Sequence, residues 1–437
     1  MSVAQITLYV IVALLVTKAV LTIVLALYHL RVQRQRQARS AAAPLPGVTV
    51  LIAAYNEEVG IADTLSSVLS QDVPQLQVIV VDDGSHDRTA EIARQFAHQD
   101  PRVLVLQQPN AGKAAALNHA IRYAQHPVSV SVDADSALAP GTLARLAAHF
   151  NDPRVGAVAG DVKVAGPATL LTQLQGIEYS VGQHLDKRAQ DVLGAVSVVP
   201  GAAGAYRTEL MQNLGGYSSD TLTEDMDLTF SIAAAGFQVR FEPDAISYTE
   251  PPTSVRNLWK QRMRWMYGTF QCMGKYRHAV LNPRAGRLGL LILPYTLVYG
   301  LTLGGAGPLF DLIALSVLLS HSVTDVLVPV LLNFATDFAA VALALGLGRR
   351  SWHGLAYTPT QRLLLRPFVF AVIAMTCVSL LRRRDVTWNK LPRVGLHLNP
   401  AAPDAPTVPA VITAAATAAP LPELAPAALA PTPEYAA

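Results

Sequence analysis

The sequence predicts an α/β fold: a Rossmann-like, mostly parallel sheet set between membrane-spanning helices. Three observations carry this. Residues 47–250 alternate short β-branched runs with stretches of helical apolar spacing. Acidic clusters close two of those runs, at Asp82-Asp83-Gly84-Ser85 and at Asp133-Ala134-Asp135. Hydrophobic residues make up 51% and charged residues 15%, where about 25% charged is usual for soluble domains, and the apolar excess lies on both sides of the middle.

In chain order, the first element is an apolar run from Ile6 to Leu30, longer than the ~20 residues that a bilayer crossing needs. Up to Leu30 its only full charge is Lys18; Arg31, Arg34, Arg36 and Arg39 come next, and residues 1–56 hold no Asp or Glu. A cleaved signal peptide carries its basic residues before the apolar run. A retained anchor over 1–30 and a basic linker over 31–46 are therefore expected. The positive-inside rule places that linker and the α/β region after it in the cytoplasm. A lysine in mid-span costs ~2.5–3.5 kcal/mol to insert; Lys18 lines a wet path, snorkels, or pairs with an intramembrane Asp.

The middle then reads as strand Val48–Ala53, helix Gly60–Leu69, strand Gln77–Val81, helix Thr89–Ala97, strand Val103–Gln107, helix Lys113–Ala124 and strand Val128–Val132. In such sheets ligands bind beyond the carboxyl ends of the strands, where the acids sit. Asp133 and Asp135, two apart as the chain leaves a strand, suit one hard cation and its diphosphate; Mg2+ and Mn2+ prefer such oxygen ligands. The plain alternative is a solvated turn. Asp82 and Asp83 suit hydrogen bonds from a base or ribose, or an Asx-type turn. Tyr55 offers a face to a nucleobase and Glu57 an acceptor for its ring nitrogen, unless Tyr55 is merely half-buried and Glu57 favours a helix start. Lys113, after Asn110-Ala111-Gly112, approaches a nucleotide or is an exposed lysine in a first turn. Thr221 to Asp227 opens another helix, with Thr221 and Glu224 spaced as a capping box. Capping does not explain three acids, Glu224, Asp225 and Asp227, in four residues.

Residues 251–287 mix Leu258, Trp259, Met263, Trp265 and Phe270 with Arg256, Lys260, Arg262 and Arg264, as an interfacial amphipathic helix does. Anchoring alone also explains that pattern. Residues 288–381 form a second apolar zone. Between Leu288 and Gly348 it has no Lys or Arg and only Asp311, Asp325 and Asp337, which allows two or three crossings. A break is expected at Gly304 to Pro308, and Pro367 to Leu381 is a last span or a re-entrant segment. A basic juxtamembrane segment over 382–399 and an Ala/Pro-rich, disordered tail over 400–437 complete the chain. The net charge of +3 gives no reason to expect nucleic acid. Cys272 and Cys377 are too few for a disulfide framework.

Taken in order, A-A-Y-N-E-E, V-D-D-G-S, N-A-G-K, D-A-D, T-E-D and Q-R-M-R-W resemble the motifs of the processive, membrane-embedded, inverting glycosyltransferases of family 2. The spacings are 50 residues from Asp83 to Asp133, 90 from Asp135 to Asp225 and 36 from Asp225 to Gln261. Within the family the chain is most similar to poly-β-1,6-N-acetylglucosamine synthases. W-K-Q-R-M-R-W and a late W-x-K-x-x-R-x-G pattern at Trp388, Lys390, Arg393 and Gly395 carry that likeness. Hyaluronan, chitin and cellulose synthases are further relatives.

The resemblance implies a glycosyltransferase A-type domain inserted between transmembrane helices, and a UDP-sugar donor, with UDP-N-acetylglucosamine foremost. It implies Tyr55 and Glu57 at the uracil, Asp82, Asp83 and Lys113 near base and ribose, and Asp133 and Asp135 on Mg2+ or Mn2+. Asp225 is the expected base. Glu224, Gln261, Arg264 and Trp265 are expected at the acceptor or diphosphate. The implied partners are the growing polysaccharide, membrane lipid and small membrane or export subunits. The implied location is the inner or plasma membrane, with several spans and a cytoplasmic catalytic domain. Rival readings are a single-sugar transfer to a lipid, a degenerate scaffold, and a transporter with a nucleotide-sensing domain. The scaffold reading predicts loss of the acids, which are present. The transporter reading predicts internal repeats, which are not seen.

Overall fold

The computed structural model describes residues 2–40, 43–166, 168–320, 323–382 and 395. Eight strands form one sheet in the order β3-β2-β1-β4-β7-β6-β8-β5. They are β1 (Val48–Ala54), β2 (Leu76–Asp82), β3 (Val103–Gln107), β4 (Val128–Ser131), β5 (Ser136–Leu138), β6 (Val155–Val164), β7 (Gly204–Arg207) and β8 (Gln238–Thr249). The first four pair in parallel, and their predicted positions match within one or two residues. Val50, Ile52, Val78 and Val80 bury one face with Ile61 and Leu65; Leu51, Ile79 and Val81 bury the other with Leu117 and Ile121. Burial on both faces makes the strands read as unbroken apolar runs.

The other half of the sheet is mixed. Strand β7 runs antiparallel to β4 and β6, and β5 antiparallel to β8, while β6 and β8 are parallel. The sheet is thus less parallel than expected. The register Ser131↔Gly204 brings the loop before β7 to the carboxyl end of β4. Between β6 and β7 lies a helix over Leu170–Val181 that continues through a π-helical turn, Gly182–Lys187, to Val192.

Among the described residues, three helices are long and apolar enough to cross a membrane: Val3–Gln37, Val326–Leu347 and Trp352–Leu381; Leu288–Val298 and Gly307–Ser320 are apolar but shorter. The first helical element is Val3–Ser40, so helix continues through the basic run. There Arg36 bonds Asp191 at 2.5 Å and Gln33 bonds Asp244 at 2.9 Å. Lys18 is half-buried and engaged within the chain. The break expected at Gly304 to Pro308 is absent: π-helix Thr296–Leu303 passes directly into helix Gly304–Ser320. Neighbouring membrane helices tolerate Gly and Pro in this way, and Gly307 leaves room for Arg366, whose Cδ would lie 3.2 Å from a Cβ there. Residues 383–394 and 396–437, with Trp388, Lys390, Arg393 and the Ala/Pro-rich stretch, lie outside the described residues. Gly395 donates to Glu250 at 3.2 Å.

Candidate active site

The parallel register sets the site. Ala54 faces Asp82 on β2, while β4 runs parallel on the other side of β1 and ends with Ser131 facing Leu51, so Tyr55, Asp83 and Asp133 all leave the sheet at its carboxyl edge. Tyr55 is half-buried, its ring 6.5 Å edge-on from His86. The Glu57 backbone N–H donates to Thr89 at 2.7 Å. Asp82 accepts from Gln107 at 3.0 Å and from the Ser85 N–H at 3.3 Å. Asp83 is buried and clamps the following loop: it accepts from Gln108 at 2.8 Å and from the N–H groups of Ala111 and Gly112 at 2.9 and 2.8 Å. That clamp aims Lys113, the first residue of helix Lys113–Ile121.

Lys113 is not an exposed first-turn lysine. Its Nζ lies 2.6 Å from Asp133 and 3.2 Å from Glu224, so its ammonium joins the D-A-D and T-E-D acids. Burial works against its charge, but Asp133, Glu224 and Asp225 outweigh burial and hold its pKa above that of an ordinary lysine. Gly201 makes room for the pair, since a Cβ there would stand 2.6 Å from Lys113 Nζ and 3.1 Å from Asp133. Asp135 is buried, with the Ser136 hydroxyl 3.4 Å away. Among the described residues no three acids, cysteines or histidines cluster as a ready metal cage. Two carboxylates at one strand end match the donor set of a Mg2+-type ion that takes its remaining ligands from phosphate and water.

The three acids of T-E-D-M-D part ways. The predicted capping box is not formed: the helix starts at Glu224, the cap residue Thr223 makes no side-chain cap bond, and Glu224 turns to Lys113 instead. Asp227 is buried and bonds Lys275 at 2.7 Å and Tyr276 at 2.8 Å, tying this helix to helix Val255–Lys275. Asp225 is half-buried and accepts from its neighbour Met226 N–H at 2.8 Å. Burial first, then the charge of Glu224, raises its pKa to about 6, with Lys113 opposing. Such a carboxylate is ionised near neutral pH yet basic enough to take a proton.

Helix Val255–Lys275 carries Gln261, Arg264 and Trp265 at i, i+3 and i+4, hence on one face. Gln261 Oε1 is buried without a hydrogen-bond partner among the described residues, and Arg264 is half-buried. The helix lies tightly on T-E-D: a Cβ at Gly268 would meet the Thr223 side chain at 2.6 Å and its backbone N at 2.9 Å. Sequence reasoning placed Arg262 only in the amphipathic mix; it stacks on Trp265 with its guanidinium carbon 4.4 Å from the ring centre and pairs with Glu178. Gly201 stood out only as part of a glycine-rich stretch near T-E-D, Gly268 and His86 were not singled out, and no local signal marked Glu178.

Comparison with known proteins agrees with this geometry. The family model described as "Glycosyltransferase like family 2" matches residues 46–268. A poly-β-1,6-N-acetyl-D-glucosamine synthase of Staphylococcus epidermidis is 30% identical over 257 residues, 59% of this chain and 62% of that one. The enzyme of that name from Staphylococcus aureus strain COL is 33% identical over 225 residues, 51% of this chain and 55% of that one. The chain thus spans less than two thirds of the length of these relatives. A mannosyltransferase from Pyrobaculum calidifontis, solved with GDP-Man and Mn2+, shares the fold with a TM-score of 0.55 at 23% identity, covering 84% of this chain and 99% of that chain. With a sheet of glycosyltransferase A type, acids at its strand ends and a family match across the whole site, the chain belongs to glycosyltransferase family 2.

Proposed function

We propose that the protein is an inverting, processive glycosyltransferase. It transfers sugar from a UDP-sugar, UDP-N-acetylglucosamine foremost, to a growing β-linked polysaccharide and helps move that polymer across the membrane. The observation that carries the reading is the meeting of Lys113, Asp133, Glu224 and Asp225 beneath the helix that holds Gln261 and Trp265. Nucleotide chemistry and acceptor holding thereby adjoin. The similarity to synthases named for poly-β-1,6-N-acetyl-D-glucosamine supports the choice of sugar and linkage.

Tyr55 and Glu57 hold the uracil side, with Asp82 and Asp83 fixing the loop around base and ribose. Asp133 and Asp135 would hold Mg2+ or Mn2+ with the diphosphate; that the mannosyltransferase is solved with Mn2+ supports the use of a divalent ion. The ion would supply charge compensation for the departing UDP. Lys113, held by Asp133 and Glu224, adds a fixed positive charge at that end. Asp225 takes the proton of the acceptor hydroxyl as its oxygen attacks the anomeric carbon. A single displacement turns an α-linked donor into a β-linked product, and one base suffices. Gln261, Arg264 and Trp265 hold the acceptor end.

The organisation that fits is an anchor over 1–30, a basic segment over 31–46, the catalytic domain over 47–250, the acceptor helices over 251–287 and spans over 288–381, with the catalytic domain cytoplasmic. The three helices long enough to cross a membrane support a multi-pass protein. Purified protein given separate UDP-sugars, with linkage and length analysis of the product, tests the reading. Polymer from UDP-N-acetylglucosamine is expected. One sugar added to a lipid, with no extension, refutes processivity.

A further inference from the structure

Helix Leu170–Val181 has no part in the chemistry above, yet it delivers two side chains to the rear of Trp265. Glu178 Oε2 accepts a hydrogen bond from an Arg262 terminal nitrogen at 2.6 Å, across 84 positions of sequence. The pair is lopsided: the Arg262 side chain is 9% exposed and that of Glu178 31%. The same guanidinium lies 4.4 Å from the Trp265 ring centre and 6.0 Å from that of Tyr179. Tyr179 in turn packs on Val162, Ala202 and Ala203, next to the Gly201 loop. Arg262 is therefore fixed from one side by a charge and from two sides by aromatic rings.

We propose that Glu178 is a positioning residue for the acceptor sugar: it fixes the Arg262 guanidinium against one face of Trp265, so that the opposite face stands ready for the acceptor. The inference rests on Trp265 as an acceptor contact. A planar guanidinium covers an aromatic face as a lysine cannot, and such stacking strengthens when desolvated. Without Glu178 the buried guanidinium loses its counter-ion, a situation that drives rearrangement. One further atom fits a sugar in this place: Gln261 Oε1, on the same helix as Trp265, is a buried acceptor without a partner among the described residues. A sugar bears hydroxyls, which both donate and accept.

The test measures nucleotide-sugar turnover in membranes or detergent, divided into sugar transferred and sugar released to water. Glu178→Gln keeps the shape and removes the charge. UDP affinity is expected to stay within twofold of the parent, while the ratio of transfer to hydrolysis falls at least tenfold and products shorten. Arg262→Lys keeps the charge and loses the flat guanidinium, and should shift the ratio likewise. A merely structural ion pair would lower yield or Tm and leave the ratio alone. A ratio within twofold of the parent in folded Glu178→Gln, or in Arg262→Lys where the first variant does not fold, overturns the proposal. Failure of the acceptor reading looks different, because Trp265→Ala would then leave the ratio unchanged whatever Glu178→Gln does.

Discussion

The proposed role of Asp225 as general base ties transfer to the ionised fraction of one carboxylate, and its surroundings set where that fraction falls. Burial disfavours the charged form, Glu224 adds like-charge repulsion, and Lys113 pulls the other way, leaving a pKa of about 6. The base must be ionised to accept a proton, so transfer falls as pH drops through about 6. With a single titration the ionised share is about nine-tenths at pH 7, about half at pH 6 and about a tenth at pH 5. Initial rates of sugar transfer, read as kcat/KM between pH 5 and 8, should trace that limb. Glu224→Gln removes the repulsion and also releases Lys113 from one of its two carboxylates. Both changes favour ionised Asp225, so the limb should move to lower pH, between about 6 and the ordinary Asp value of 3.8. The height of the plateau also falls, because Glu224 helps hold Lys113; the position of the limb is the diagnostic. A flat profile from pH 5 to 8, or a limb that moves upward in Glu224→Gln, refutes the assignment of Asp225.

Asp135→Asn should abolish turnover and weaken UDP binding in Mg2+ or Mn2+, by titration with UDP; full activity of the parent in excess chelator would sink the metal assignment. Asp225→Asn should bind UDP nearly normally while transfer drops by ~10²–10⁴, and a residual rate above about a tenth of the parent would contradict the base role. Gly268→Val drives a side chain into Thr223, an overpacking of ~1–3 kcal/mol, and should lower Tm and transfer together; parental Tm and activity would show that the helix contact is loose. A reporter fused near residue 150 should report the cytoplasmic side, and an extracytoplasmic signal would overturn the topology.

What could be read from the sequence divides along physical lines. Strands β1 and β2 stood out because burial on both faces demands apolar runs, and β1, β2 and β4 because acids just past their carboxyl ends mark where the chain leaves the sheet. Strand β7, Gly204-Ala205-Tyr206-Arg207, was hidden by its glycine, which is there because a Cβ would meet Pro200 O and Tyr206 Oη at 2.9 Å. Strand β8 carries Pro243, which argues against a strand, and its pairing with β6 shifts register between Gly160 and Asp161. Helix Leu170–Val181 was passed over because tertiary partners bury its polar residues. Gln175, fully buried, donates to Pro252 O at 3.0 Å, and Glu178 meets Arg262. Local periodicity shows no trace of partners some 80 residues away. Within the site, the separate motifs were legible, but their mutual contacts were not. Lys113 was expected near base and ribose, whereas its ammonium lies against Asp133 and Glu224.

Helix Val255–Lys275 joins the candidate active site to the apolar helices. On one side Gly268 lies against Thr223 and Leu222 N–H donates to Gln271 at 2.9 Å. On the other, the Trp259 ring meets Phe368 edge-on at 5.6 Å and Thr376 donates to the Met263 sulfur at 3.6 Å. Those last partners sit on helix Arg366–Leu381, itself fastened within the apolar zone. Buried Arg362 bonds Asp311 at 2.5 Å, Asn333 at 2.9 Å and Asp337 at 2.8 Å, and Arg366 bonds Asp337 at 2.5 Å. Removing a partner would leave the buried Arg362 guanidinium short of counter-charge, so these helices resist sliding past one another. From the opposite direction the N-terminal helix grips the sheet through Asp191, which is bonded to Arg36 and His29 and accepts from the Phe241 N–H at 3.0 Å. Two of the three intramembrane acids seen in the sequence, Asp311 and Asp337, are thereby accounted for as fasteners. The base role proposed for Asp225, which requires an acceptor hydroxyl within hydrogen-bond reach, fits that rigidity. Asp225 and Trp265 keep their separation because the helix that carries Trp265 cannot tilt without breaking contacts at both of its faces.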